Sequence, residues 1–472
     1  LPRWFPIHLS KMSYWARTVI VPLLVLAALR PLARNPRGVG VAELYVPGAT
    51  SAAARAPHQS RGWSAFFHLL DIALKAFEPH WPKKLRARAI AQCRAWTSER
   101  LNGEDGLGAI YPAMANSVMM YDALGLPPEH PERALARRSV EKLLVIREDE
   151  AYCQPCVSPV WDTALACHAL LEAGDARAGE AVERALDWLT PLQVLDVKGD
   201  WTEARPDVRP GGWAFQYRND HYPDTDDTAV VVMALDRAGR SNEAVARGAE
   251  WTIGMQSHNG GWGAFDADNS YYYLNNIPFA DHGALLDPPT EDVSGRCLGM
   301  MAQLGHTPDD PRVKAAIAYL EKVQMPDGSW FGRWGVNYIY GTWSALAGLN
   351  AAGLEQGHPA MKRAADWLIA IQNPDGGWGE GCDSYRLDYK GYVCAPSTAS
   401  QTAWALLGLM AAGEVDHRAV ARGVGYLKAT QSPDGLWEQA HYTGGGFPRV
   451  FYLRYHGYPK FFPLWALARY RN

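Results

Sequence analysis

From about residue 157 onward, apolar and polar positions recur in paired helical blocks. The first block of each pair is apolar nearly all round, opens on a polar residue and closes on a small residue and Gly. Its copies are "WDTALACHALLEAG" from Trp161, "DDTAVVVMALDRAG" from Asp226, "EDVSGRCLGMMAQLG" from Glu291, "YGTWSALAGLNAAG" from Tyr340 and "SQTAWALLGLMAAG" from Ser400. The second block is amphipathic, with Lys, Arg and Glu, and runs through a Gln and a Gly-containing turn into Trp201, Trp262, Trp330, Trp378 or Trp437. Repeats of this length mark stacked supersecondary units, here helical hairpins. The helix that is apolar all round belongs inside and the amphipathic one outside. "FFPLWALARY" near the C-terminus reads as a sixth inner helix, so that six inner and six outer helices close into an α/α barrel. Gln193, Gln256, Gln324, Gln372 and Gln431 are predicted to close the outer helices, whose last carbonyls lack partners, and an Asp-Gly or Asn-Gly turn returns the chain so that the Trp packs on that end.

Residues 1 to 150 also read as helical, around a Pro/Ala/Gly/Arg-rich loop at about 33 to 61. The chain starts at Leu1, and its apolar run from Thr18 to Leu29, interrupted by Pro22, is too short to span a bilayer and lacks a cleavage pattern. A core helix is expected there. The helix that begins "RGWSAFFHLLDIALKAF" carries Trp63, Phe66, Phe67, Leu69, Leu70, Ile72, Leu74 and Phe77 around much of its circumference. Such a helix is either buried or dipped into a membrane surface, and the pattern alone favours burial.

A net charge of -4 argues against nucleic acid as a partner. The 19 Trp, 22 Tyr and 12 Phe exceed the needs of an ordinary core and suggest aromatic walls around something. Seven scattered cysteines suit a reducing compartment, and the lone CxxC at Cys153 and Cys156 has no second pair, so structural roles are expected rather than zinc.

The chemistry concentrates in "HYPDTDDTAV", where Asp224, Asp226 and Asp227 precede an apolar helix. Capping by Asp227 or Thr228 would explain one acid. Crowding and burial of all three raise carboxyl pKa values, and a carboxylic acid that stays protonated near neutral pH is a proton donor. Because every inner helix starts at the same end of the barrel, Asp162, Asp226, Asp227, Asp292 and Tyr340 should surround one mouth. Aromatic loops sit nearby, with Phe215, Phe265, Trp334, Phe447, Phe451, Tyr455 and Tyr458. An acid cluster lined by ring faces is a place to make and hold a carbocation, each face contributing roughly 0.5 to 2 kcal/mol.

The DxDDT stretch at 224 to 228 and the QxxxGxW-like units together resemble the bacterial squalene-hopene cyclases, class II triterpene cyclases, over essentially the whole chain. The resemblance implies an all-α fold of two α/α barrel domains. Here these would be residues 1–156, a partial barrel with a membrane-docking helix at about 62–78, and residues 157–472, an α6-α6 barrel holding the acids. It implies an aromatic cavity between the domains, no cofactor and no metal. It further implies monotopic docking on the cytoplasmic face of a bacterial cell membrane, and it allows a homodimer. Roughly 150 family residues are expected in front of Leu1.

By the same resemblance, Asp226 protonates the terminal alkene of squalene while Asp224 and Asp227 hold and tune it. Trp161 and Asp162 match positions near the acid. Asp292 and Arg296 match a supporting pair; many family members carry His at the position of Arg296, and an Arg can pair with Asp292 across one helical turn but cannot relay a proton. Trp15, Phe215, Phe265, Trp334, Phe447 and Phe451 match wall positions, and Ile110, Tyr111 and Pro112 match the segment near the final deprotonation. The products implied are hopene and hopanol.

Other readings are weaker. A glycosidase would oppose its acids across a cleft, whereas these are adjacent. A zinc prenyltransferase needs a Cys/His/Asp metal set that is not evident. A non-catalytic binding module leaves the aspartates without a task. Another DxDD cyclase with a different polyene, or an inactive fragment, stays open. "DADNS" at 266 to 270 lacks the distal Glu of a calcium loop and reads as a turn, and His221 and His282 read as polar loop residues.

Overall fold

The computed structural model describes residues 2–32, 35–44, 60–240, 242–278, 284–386 and 391–472. His282, Leu1 and much of the loop expected at 33 to 61 lie outside the described residues. Two compact units are present, neither continuous in sequence: one holds the described residues of Leu1–Tyr14, Cys156–Tyr271 and Ala284–Asn472, the other those of Trp15–Pro155 and Tyr272–Gly283.

The smaller unit contains α1 (Tyr14–Leu29) apart from its first residue, α2 (Arg61–Phe77), α3 (Lys83–Glu99), α4 (Tyr111–Ala123), α5 (Pro131–Glu141) and a hairpin of β1 (Leu144–Ile146) with β2 (Ala151–Cys153). Val25 of α1 meets Met120, Tyr121, Leu126 and Ala136 in its core. The expected core helix is core on one side only, for Leu23, Leu24 and Leu29 of α1 are exposed. The burial expected of α2 fails. Phe67 alone of its side chains is buried, while Trp63, Phe66, Leu69, Ile72, Leu74 and Phe77 face outward, because its apolar face is wider than the flank that packs on the rest of the unit. No described helix is long and apolar enough to cross a membrane.

The larger unit alternates inner and outer helices. In order these are α6 (Pro159–Ala173), α7 (Ala176–Leu189), α8 (Thr225–Arg237), α9 (Glu243–Gly254), α10 (Glu291–Gln303), α11 (Pro311–Val323), α12 (Tyr338–Ala351), α13 (Pro359–Ala370), α14 (Ala399–Ala411) and α15 (Arg418–Thr430). A hairpin of β3 (Gly444–Phe447) and β4 (Phe451–Leu453) leads into α16 (Tyr458–Arg471). The inner helices α6, α8, α10, α12, α14 and α16 touch in that order, and α16 returns to α6, closing a ring. Five outer helices pack on it among the described residues. The Gly content of the inner set allows close approach: a Cβ on Gly348 of α12 would be driven into the Gly295 carbonyl of α10. Outer helices start on side-chain caps, Asp175, Asn242 and Asp310 accepting first-turn N–H groups.

The Gln and Trp signature works differently from the expectation. Each Trp indole N–H, not the Gln, takes an orphan carbonyl of the outer helix: Trp262 donates to Thr252 at 2.7 Å, and Trp330, Trp378 and Trp437 donate to Leu320, Leu368 and Leu427 at 2.8 Å. The Gln amide bridges onward. Gln256 donates to Gly260 and Arg312, Gln324 to Gly328 and Ala360, and Gln372 to Gly376 and Ala419, so each reaches its own turn and the second residue of the next outer helix.

The first unit corrects the repeat register. Its signature Trp is Trp213, which donates to Leu189, while Gln193 donates to Gly211 and Ala244. Trp201 is buried in an expanded connector instead. Indole and carbonyl are 24 residues apart here against 10 in the second unit, so the connector has lengthened without loss of either bond.

Candidate active site

The acid stretch begins α8. Asp224 is the N-cap: its Oδ1 accepts the N–H of Asp226 at 2.7 Å and of Asp227 at 3.3 Å. The cap expected at Asp227 or Thr228 therefore lies earlier, and both remaining aspartates occupy the first turn. Thr228 is a fold residue whose hydroxyl accepts the Trp213 backbone N–H, and Ser294, Thr342 and Thr402 do the same for Trp262, Trp330 and Trp378. The repeated Thr or Ser after the polar start of each inner helix was the missed signal.

Asp226 projects into the ring. Its Oδ1 lies 2.5 Å from Nε of Arg296, whose Nη2 donates to the Tyr340 hydroxyl at 2.7 Å. The guanidinium sits over the rings of Trp161, Tyr340 and Trp343 at 5.2, 5.7 and 5.2 Å. Burial pushes the Asp226 carboxyl up to about 6; Arg296 pulls it down and Asp292 adds repulsion. Asp227 is also raised, by burial and then by Asp224, and its buried Oδ1 has no partner among the described residues. Burial raises Asp162 to about 6; Ser158 donates to its Oδ2, and its Oδ1 likewise has no partner among the described residues.

Arg296 does not pair with Asp292, as the spacing suggested. Both Asp292 oxygens are already taken: Oδ1 accepts the Thr290 hydroxyl and the Val293 N–H, while Oδ2 accepts the N–H groups of Arg333 and Trp334 at 2.8 and 2.9 Å. Asp292 thus holds the loop that carries Trp334. Two acids that sequence reasoning missed do the same elsewhere. Asp287 accepts from Ala264, Phe265 and Asp266 and fixes Phe265, and burial raises it to about 7. Glu380 accepts from Asn337, Tyr338 and Ile339 and so caps the helix that presents Tyr340; burial also raises it to about 7. A carboxylate just after the repeat Trp, as Glu380 follows Trp378, was the available signal.

The aromatic residues of this unit form linked groups. Trp161 donates through its indole to the Tyr458 hydroxyl at 2.9 Å, Tyr458 stacks on Tyr455 at 4.3 Å, and Tyr455 meets Phe215 edge-on at 6.5 Å. Phe265 lies between Tyr14 at 4.3 Å and Trp334 at 6.2 Å. Phe447 is half-buried at the end of β3, paired through the backbone with Phe451. The turn at 266 to 270 is internal rather than exposed at its start: Asp266 is buried, and Asp268 pairs with Arg205 at 2.8 Å. His221 is half-buried in a loop, its ring tilted on Tyr222. Trp15, Ile110 and Tyr111 belong to the smaller unit. Trp15 is buried in α1, Ile110 is the N-cap of α4, and the exposed Tyr111 donates its N–H to Pro155 at 2.8 Å.

A buried acid salt-bridged to Arg and ringed by aromatic faces suits cation chemistry. The family description "Squalene-hopene cyclase C-terminal domain" matches residues 157–472, and "Squalene-hopene cyclase N-terminal domain" matches residues 1–149. The chain belongs to the squalene-hopene cyclase family. The squalene-hopene cyclase of Zymomonas mobilis is 64% identical, the match covering 100% of this chain and 73% of that protein. A probable squalene-hopene cyclase of Sinorhizobium fredii is 65% identical over 100% of this chain and 74% of its own length. The structure of ent-copalyl diphosphate synthase from Streptomyces platensis is similar in fold at 19% identity, with a TM-score of 0.50 over 83% of this chain and 69% of that one. Membership makes the chain a class II terpene cyclase, an intramolecular lyase or isomerase acting on a small-molecule polyene.

Proposed function

We propose that this member cyclises squalene, with Asp226 as the general acid. The observation that carries the reading is the pairing of Asp226 with Arg296 inside a buried aromatic enclosure. Arg296 occupies Oδ1, so the transferable proton resides on Oδ2. The O–H bond breaks as a C–H bond forms at the terminal alkene, leaving a tertiary cation that successive alkenes capture as carbon–carbon bonds form. Ring faces such as Phe265, Trp334, Phe215 and Tyr455 stabilise the travelling charge. Loss of a proton gives hopene, and capture of water gives hopanol. Arg296 stabilises the carboxylate left behind, and a proton from solvent restores the acid.

The outward apolar face of α2 supports the further reading that the protein docks as a monotopic protein on the cytoplasmic face of the bacterial membrane that dissolves its substrate. The test is incubation of detergent-solubilised protein with squalene beside Asp226→Asn, followed by gas chromatography and mass spectrometry. A pentacyclic hydrocarbon or alcohol formed by the parent and not by the variant supports the assignment. Cyclisation by Asp226→Asn refutes it.

A further inference from the structure

The surface of the smaller unit segregates charge beside its apolar face. Phe66, Leu69, Ile72 and Phe77 of α2 are exposed at 50, 66, 53 and 67%. Trp81 and Leu85, just beyond, are exposed at 51 and 54%. Interleaved with this second pair are Lys83, Lys84, Arg86 and Arg88, which are themselves exposed. Between Arg61 and Arg88 there are six Lys or Arg against two Asp or Glu, in a chain whose net charge is -4. The two acids are already engaged, Asp71 with Lys75 at 2.6 Å and Glu78 with Arg30. Among the described residues, Lys83, Lys84 and Arg88 have no ion-pair partner. A basic cluster in an acidic protein, placed where apolar side chains point outward, is complementary to one kind of surface: apolar below and anionic above.

We propose that the first turns of α3, through Lys83, Lys84 and Arg88, recognise anionic phospholipid headgroups, so that this cyclase docks preferentially on phosphatidylglycerol-rich rather than zwitterionic bilayer. The inference rests on the membrane reading of α2 and deepens it by naming the lipid. Apolar insertion alone is indifferent to headgroup charge. A cluster of cations at the same rim adds an attraction that grows with anionic lipid and weakens with salt, because exposed charges separated by about a Debye length, ~8 Å at physiological salt, are screened. Arg86 also binds the Ala28 carbonyl at the end of α1, which ties the basic turn to a helix whose Leu23, Leu24 and Leu29 are outward-facing as well. The basic turn is therefore fastened to a helix of the same unit rather than carried on a loose segment.

The test is co-sedimentation of the full chain with vesicles of phosphatidylcholine alone and of phosphatidylcholine mixed with phosphatidylglycerol, at low and raised salt. Tighter binding to the mixed vesicles, diminished by salt and reduced roughly ten- to thirtyfold in Lys83→Gln/Lys84→Gln, is expected. A control pair on an outer helix of the larger unit, Lys314→Gln/Lys322→Gln, should bind as the parent does. Equal binding of the parent to both vesicle types, or an equal loss in the control pair, overturns the lipid assignment and leaves apolar docking standing. Absence of binding to either vesicle, or binding that Phe66→Ser/Leu69→Ser leaves untouched, removes the membrane reading itself and the inference with it.

Discussion

Nε of Arg296 lies 2.5 Å from Oδ1 of Asp226, although the two residues are 70 positions apart and belong to neighbouring inner helices. The contact sets the strength of the acid. Burial alone would leave Asp226 protonated but reluctant to donate; the guanidinium stabilises its conjugate base and holds the carboxyl at about 6. If Asp226 is the acid as proposed, its protonated form is the working form, so activity should be present below that value and be lost as pH rises through it. Replacing Arg296 by Gln removes stabilisation of the carboxylate, which raises the pKa. The alkaline limb of kcat/KM should move to higher pH while the rate falls roughly ten- to a hundredfold. A limb that stays in place would detach Arg296 from the acid.

Phe265 is clasped by Tyr14 and Trp334, and its backbone N–H is fixed by Asp287 at 2.7 Å. Phe265→Ala should release partly cyclised products and lower kcat/KM by roughly two- to thirtyfold, the equivalent of one ring face. Product analysis by mass spectrometry checks this, and an unchanged profile excludes the ring from the wall. Asp287→Asn probes the same place indirectly: an amide oxygen can still accept backbone N–H bonds, so milder loss with the same shift in products is expected.

The bridging Gln residues offer a graded comparison. Gln372 donates to two carbonyls, Gly376 and Ala419, whereas Gln431 donates to Gly435. Gln372→Leu should cost about 1 to 3 kcal/mol and Gln431→Leu about 1 kcal/mol or less. The midpoints of denaturant unfolding measure both, and equal losses would refute the bridging role.

Glu172 joins Arg237 of α8 at 2.6 Å and also pairs with Arg469 of α16. Burial works against its charge, but hydrogen bonding and attraction from Arg469, then Arg237, outweigh it and hold its carboxyl below the usual range. A depressed carboxylate contributes stability above its unfolded value, about 4.3, which disappears as pH falls through the folded one. Glu172→Gln should therefore cost ~1 to 3 kcal/mol near neutral pH, discounted because Arg469 is half in solvent, and should flatten the acid side of the stability profile.

The sequence carried the ring because a 3.6-residue periodicity and a short punctuating motif recur together, and each states the same fold. It misplaced the first Trp because the lengthened connector supplies a second one, Trp201, after a Gly-Asp turn that mimics the signature. It paired Arg296 with Asp292 because helical spacing was the local rule available; the competing bonds to Asp292 come from a loop 41 residues onward, which no local rule reveals. Helix α2 was ambiguous for a physical reason, since a wide apolar face above a narrow polar stripe, here Ser64, His68, Asp71 and Lys75, has the same pattern whether protein or lipid covers it. Asp287 escaped notice because an isolated loop acid usually meets solvent, and only the fold shows backbone N–H groups converging on it, whereas Glu380 had the nearby repeat Trp as its one local signal.

The Gln bridges run from α7 to α15 through neutral amide and carbonyl groups. Between α14 and α6 the join is of another kind, for α16 spans that gap and fastens through Arg469 and Glu172 while the Arg471 guanidinium and Asn472 amide donate to Ala173 and Glu172 carbonyls. The closed ring therefore has a seam. Acid or concentrated salt leaves the neutral girdle largely alone yet weakens the charged fastening. Under those conditions the circle should loosen first around α6, which Glu172 fastens to α8 as well as to α16, with amide exchange rising first in the last turns of α6 and α16, before the rest of the hoop follows.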